Sequence, residues 1–179
     1  MSRVRIVGGA WRSRLLPVAG VPGLRPTPDR VRETLFNWLG QDLDGLSCLD
    51  LFAGTGILGF EAASRGAARV TLVERDARAV AALRKAAITL QAAQVELIHR
   101  DAVEFARSAP GSFDLVFLDP PYDQGWLQRI EPWLERIVKA GGRLYAESER
   151  PLERLGRWET IRRGRAGQVH FHLMQGSDE

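Results

Sequence analysis

The spacing of apolar positions changes several times along the chain, and each change marks an element. Two short alternating stretches, residues 4–7 and 15–18, flank Gly8, Gly9 and Trp11 and predict a hairpin-like arm. Residues 20–26 are rich in glycine and proline and predict a linker. A helix is then expected from Thr27 as N-cap, with Pro28 at its first position and Asp29 in its first turn, running to Leu39. Val31, Leu35, Trp38 and Leu39 place its apolar positions on one face. Beyond it, apolar strand patterns at 47–52, 69–74, 95–99, 113–118 and 143–147 alternate with helical patterns at 57–65, 77–90, 102–107 and 126–138. Such alternation demands right-handed crossovers and a parallel sheet. The tail departs from it. Residues 158–163 and 169–174 read as two strands with no helix between them, which predicts a terminal antiparallel hairpin. The expectation is a doubly wound α/β domain over residues 27–179 with a mostly parallel, seven-stranded sheet, preceded by a basic arm and linker over 1–26.

Composition narrows the class. A chain of 179 residues with 45% hydrophobic content fits one domain with a proper core. The longest uncharged run is twelve residues, well short of the roughly 20 that a membrane span needs. No apolar segment follows Arg3 and Arg5, so no secretory signal is expected and the protein is placed in the cytoplasm. The one cysteine, Cys48, excludes a disulfide framework and a cysteine-based zinc site. Charge is uneven although the net value is only +3. Residues 1–32 carry seven arginines against the single acid Asp29, and residues 150–165 carry six against two. Arginine binds phosphate bidentately and stacks on bases, so this clustering points to a polyanion partner. Arg3, Arg5, Arg12, Arg14, Arg25 and Arg30 are the candidate nucleic-acid contacts.

Chemistry begins at the end of the first central strand, Asp50-Leu51-Phe52-Ala53-Gly54-Thr55-Gly56-Ile57-Leu58-Gly59. Gly54, Gly56 and Gly59 fit G-x-G-x-x-G, and Glu74 ends the next strand at about the offset of a ribose-binding acid. Alone, this loop could cradle NAD, FAD or S-adenosylmethionine (SAM). Asp50 tips the balance, because its charge would repel a pyrophosphate but suits a ligand bearing an amine and a sulfonium. Asp101, after the third strand, is placed to accept a hydrogen bond from an adenine amine. The candidate cofactor residues are Asp50, Phe52, Ala53, Gly54, Gly56, Glu74, Asp101 and Ala102, and the cofactor is SAM, with S-adenosylhomocysteine as product.

The fourth strand runs into Asp119-Pro120-Pro121-Tyr122. This resembles the D/N-P-P-Y motif of amino-methyltransferases, and the residue types suit the chemistry. A base amine is conjugated with its ring and is a poor nucleophile. The Asp119 carboxylate and the Pro120 carbonyl can accept its two N–H bonds and leave the lone pair aimed at a methyl group. Prolines fix φ and hold that carbonyl in place. Tyr122 offers a stacking face for an extruded base. No metal, Ser–His pair or covalent cysteine is needed.

The likeness sharpens outside these motifs. Residues 5–12 (Arg-Ile-Val-Gly-Gly-Ala-Trp-Arg) and 24–39, with the block Arg25-Pro26-Thr27-Pro28-Asp29-Arg30, resemble the RsmD family of bacterial guanine-N2 methyltransferases of small-subunit ribosomal RNA. The likeness continues through residues 50–56, 73–74, 114–122, 145–149 and 167–169. It implies the class I SAM-dependent methyltransferase fold, cofactor contacts at Gly54–Gly56, Glu74 and Asp101, and catalysis at Asp119, Pro120 and Tyr122. The substrate it implies is 16S rRNA within a partly or fully assembled small ribosomal subunit, met by a monomer with no metal and no membrane. Ser13 stands where the family usually has glycine, and Ala86-Ala87 where asparagine is common.

Other readings share parts of the pattern. An adenine-N6 methyltransferase of DNA or RNA, or a protein-glutamine methyltransferase, would carry the same tetrapeptide but not the arm. An RNA-binding protein with a SAM pocket and no catalysis would not need Asp119, Pro120 and Tyr122. A NAD-dependent dehydrogenase is disfavoured by Asp50 and by the lack of a hydride-transfer base. His99 is expected on an interior strand, and His170 and His172 on one face of the last strand as surface or nucleic-acid contacts.

Overall fold

The computed structural model describes residues 2–177. Its centre is an eight-stranded sheet in the order β5-β4-β3-β6-β7-β10-β9-β8. The parallel strands are β3 (Ser47–Asp50), β4 (Arg69–Glu74), β5 (Val95–His99), β6 (Phe113–Leu118) and β7 (Val138–Ser148). Helices α1 (Asp29–Leu39), α2 (Ile57–Ser64), α3 (Ala77–Thr89) and α4 (Ala102–Ser108) cover its faces. The sheet separates two apolar clusters. One holds Phe36, Phe60, Leu72 and Phe117; the other holds Leu49, Phe105, Val116 and Ile137. β3 and β6 are central and covered on both sides, which is why they read as continuous apolar runs rather than alternating ones. The parallel set reverses between β3, which pairs with β4, and β6, the point where open α/β sheets form ligand crevices.

The tail forms the expected antiparallel hairpin, β9 (Trp158–Ala166) and β10 (Val169–Gly176), with β10 against β7. An additional strand, β8 (Arg154–Leu155), pairs with β9 and makes eight strands where seven are expected. Two residues are too few to register as a hydrophobic period. Another departure lies in residues 126–138, expected as one helix. They form α5 (Trp126–Ile130), a 3-10 turn (Glu131–Trp133) and α6 (Leu134–Ile137). Pro132 in that turn cannot donate the helical N–H and breaks the run. β7 starts at Val138, five residues before the predicted 143, with a bulge opposite β6.

The arm pairs β1 (Arg3–Arg5) with β2 (Leu15–Pro17) and buries Val4, Ile6, Leu16 and Val18 in the same core cluster as α1 and α2. Its loop is stitched to α2: the Ser64 hydroxyl donates to the Gly8 carbonyl and accepts from the Trp11 amide. No helix of the described residues is long and apolar enough to cross a membrane.

Candidate active site

A cavity of about 830 Å³ opens at the C-terminal ends of β3, β4 and β6, within the size range of small-molecule sites. Its floor is the loop between β3 and α2. Gly56 has φ 78°, a conformation suited to glycine, and an added Cβ would meet Leu83 at 2.4 Å. Glu74, ending β4, receives the Gly54 amide on Oε2 at 2.7 Å and the Arg75 and Asp76 amides on Oε1. The carboxylate thus fixes the loop while still lining the cavity.

Asp50 ends β3 at 1% exposure. Its Oδ2 accepts from the Gly59 amide at 3.1 Å, and its Oδ1 is buried without a partner. Burial pushes its pKa up to about 7; the Gly59 hydrogen bond opposes that rise, and the charges of Glu74 and Glu147 add to it. A buried carboxylate oxygen without a donor, on the wall of a cavity, is built to meet a cation or a hydrogen-bond donor.

Phe52, Ala53, Gly54 and Ala102 line the cavity, and Gly56 and Asp101 are next to lining residues without lining it themselves. Asp101 caps α4, its Oδ1 accepting from the Val103 and Glu104 amides, while its neighbours Arg100 and Ala102 face the cavity. At this end Phe52 meets Trp126 edge-on at 5.5 Å, and the guanidinium of Arg75 lies 5.2 Å from the Trp126 ring. Trp126 was legible only as a helix-starting apolar residue.

Asp119, Pro120 and Tyr122, just beyond β6, line the same cavity. Tyr122 is 40% exposed, an open aromatic face. Its hydroxyl pKa rises to about 12 through burial and the nearby Glu147, Asp119 and Glu149 charges. Asp119 is held well above the usual carboxylate range by desolvation first, then by the charge of Glu147 and a hydrogen bond with it. Thr27 is not the N-cap of α1. The helix begins at Asp29 after Pro28, and the Thr27 hydroxyl donates to Asp119 Oδ2 at 3.3 Å.

The linker is part of the site, since residues from Val21 to Pro28 line the cavity and Leu24 lies over Gly54. Arg32 holds this segment in place. It is fully buried, donates to the carbonyls of Thr27 (2.9 Å) and Arg5 (2.6 Å), and pairs with buried Glu61 at 2.6 Å. It therefore contributes nothing to the basic surface counted over residues 1–32. The six candidate arginines, Arg3, Arg5, Arg12, Arg14, Arg25 and Arg30, are exposed, and none forms an ion pair among the described residues. Arg25 also lines the cavity, and so do Ala166 and Val169 of the terminal hairpin.

The histidines correct their expectations. His99 lies on β5, the edge strand rather than an interior one, with Nε2 at 2.9 Å from the Arg75 carbonyl. His172 is not a surface contact. It is 1% exposed, its Nε2 accepts from the Leu152 amide, and its Nδ1 lies 3.0 Å from the Ala146 carbonyl. Burial lowers its pKa and keeps it neutral.

Residues 4–175 match the model of the family described as conserved hypothetical protein 95, the RsmD family. The chain belongs to that family. RsmD relatives include ribosomal RNA small subunit methyltransferase D of Escherichia coli, 42% identical over 178 residues that cover 97% of this chain and 90% of that one. The protein of the same name from Haemophilus influenzae is 40% identical, covering 96% and 93%. The solved E. coli protein yhhF superposes with a TM-score of 0.89 at 41% identity, over 99% of this chain and all of the other. The fold is that of the α/β methyltransferases.

Proposed function

We propose that this RsmD-family protein transfers the methyl group of SAM to the exocyclic N2 amine of a guanine in 16S rRNA of the small ribosomal subunit. One arrangement carries the reading: a single cavity brings together an unpartnered buried Asp50 oxygen, a glycine loop, Asp119, Pro120 and an open Tyr122 face. Two relatives named as small-subunit rRNA methyltransferases support the RNA target.

In this reading Asp50 and the Gly54–Gly56 loop hold the methionine end of SAM, and Glu74 holds the ribose. The adenine lies by Phe52, Trp126, Arg100 and Ala102, with the amine reaching Asp101 Oδ2. When bound, SAM supplies an electrophilic methyl group on a sulfonium. Asp119 and the Pro120 carbonyl accept the two N–H bonds of the amine, and Tyr122 stacks on the base, worth roughly 1–3 kcal/mol. The exposed arginines of the arm and linker hold the RNA backbone in a salt-dependent way.

The test offers radiolabelled SAM with four acceptors: small subunits lacking the modification, naked 16S rRNA, duplex DNA and ribosomal protein. Label in RNase-sensitive material, lost by at least about 100-fold in Asp119→Ala, is expected. Label confined to DNA or protein would overturn the reading.

A further inference from the structure

Glu147 lies in the family-like stretch 145–149, where the sequence alone assigns it no role, yet it is the acid that the fold brings beside Asp119. β6 and β7 are parallel, and the pairs Phe117–Tyr145 and Leu118–Ala146 place Asp119 and Glu147 next in register. Glu147 is 5% exposed and lines the cavity. Tyr145, two residues earlier on the same face of β7, donates its hydroxyl to Glu147 Oε1 at 2.6 Å. The two carboxyls thus sit side by side on neighbouring strands, both facing the cavity, and Asp119 also accepts from Thr27. Two buried carboxylates side by side repel, and one can donate to the other only if it keeps a proton.

We propose that Glu147 is a positioning residue which holds one proton between its carboxyl and that of Asp119, so that Asp119 meets the target amine as an oriented, singly charged acceptor. The inference rests on the amine-methylation reading above. Two like charges on adjacent buried carboxyls repel strongly, and one retained proton removes the repulsion and allows a hydrogen bond between them. Other groups around the pair push the same way. Asp50 adds negative charge to Asp119; Tyr145 and Tyr122 are phenols that stay protonated; Glu149 lies beyond Tyr122. His172, on β10 beside Ala146, is committed to backbone partners. Arg25, Arg75 and Arg100 also line the cavity.

The step balances. The amine lone pair forms the N–C bond, and the C–S bond breaks with its electrons to sulfur, so the sulfonium becomes a neutral thioether. The methylated nitrogen, now cationic, loses an N–H proton to Asp119 and keeps the electron pair. The carboxyl pair passes from one proton and a charge of −1 to two protons and neutrality, then releases one proton to solvent. A neutral pair is the form that the enclosed site favours.

The experiment uses the full chain as wild type, Glu147→Gln and Glu147→Ala. It measures single-turnover methyl transfer from labelled SAM to the RNA substrate between pH 5.5 and 9. An inactive wild type overturns the proposed function and this inference with it. With wild type active, Glu147→Gln should stay within about fivefold, because its amide donates to Asp119 as the protonated acid does. Glu147→Ala should lose at least about 100-fold in the single-turnover rate, with the SAM concentration giving half the maximal rate little changed. Wild type should also slow at alkaline pH, where the pair loses its last proton and the two charges separate, and Glu147→Gln should lack that limb. Equal losses in the two variants, an Ala variant as fast as wild type, or superimposable pH profiles of wild type and Glu147→Gln would each overturn the proposal. Should Glu147→Ala fail to fold, the pH profile of Glu147→Gln decides alone.

Discussion

Replacing Arg32 with methionine should unfold the chain at distinctly lower temperature, and the size of the effect follows from its partners. Methionine fills much of the aliphatic stem but removes the hydrogen bonds to the Thr27 and Arg5 carbonyls and the ion pair with Glu61. Arg32 and Glu61 are both fully enclosed. Removing one member of such a pair costs about 3–5 kcal/mol, because the other is left charged and buried. The further pair with Asp29, a side chain 55% exposed, adds little. Glu61 is not wholly orphaned, since the Val7 amide still donates to Oε1 and Arg65 lies 3.4 Å from Oε2. That argues for the lower end, about 3 kcal/mol, which is about 6–12 °C in Tm for a chain of this size. Thermal unfolding followed by circular dichroism measures it. Adding Glu61→Gln removes the uncompensated charge, so the double variant should regain about 1 kcal/mol over Arg32→Met alone. The same replacement frees Thr27, so kcat should fall at temperatures where the variant is still folded. A Tm drop under about 3 °C, or a double variant less stable than Arg32→Met, would refute the reasoning.

Asp50 titrates near 7 in the ligand-free chain and near 3.9 when unfolded, so between those values the folded state holds a proton that the unfolded state lacks. Ligand-free stability should therefore fall as pH rises through that window, while calorimetric affinity for SAM should rise from pH 5.5 to about 7. Asp50→Asn should flatten both trends, and a flat wild-type affinity would contradict the role. Tyr122→Phe should keep turnover within a few-fold while Tyr122→Ala loses much of it, since phenylalanine preserves the stacking face; equal losses would point to the hydroxyl instead. Replacing Arg3, Arg5, Arg12 and Arg14 with glutamine should weaken RNA binding and flatten its salt dependence by about 2–3 in the log–log slope. Tm should hold, because these side chains are exposed and the buried face of the arm is untouched; an unchanged slope would remove the arm from RNA binding.

Local pattern made much of this legible, and the remainder depended on distant partners. The strands β3, β4 and β6 and the glycine loop show in apolar runs of 4–6 residues closed by loop residues, because buried strands leave that mark wherever they lie. The break at Pro132 was written in the sequence, but a long apolar period masked it. Thr27 looked like a cap because Ser and Thr before a helix usually are. Its actual acceptor, Asp119, is 92 residues away. Arg32 counted as surface charge for the same reason, since only folding brings Glu61 against it. Glu147 sits in Ala146-Glu147-Ser148-Glu149-Arg150, which reads as a strand end entering solvent. Its burial is set by the β6–β7 register and the Tyr145 hydroxyl. Single-sequence periodicity carries neither.

Amine methylation of a guanine in small-subunit RNA leaves a chemically distinct nucleoside, and its identity can be read from the RNA itself. Small subunits from a strain lacking the modification would be incubated with this protein and SAM, and their RNA digested to nucleosides and analysed by mass spectrometry. The account predicts N2-methylguanosine at about one equivalent per subunit, absent when Asp119→Ala replaces wild type. N6-methyladenosine in its place, or no new methylated nucleoside in the RNA, would contradict it.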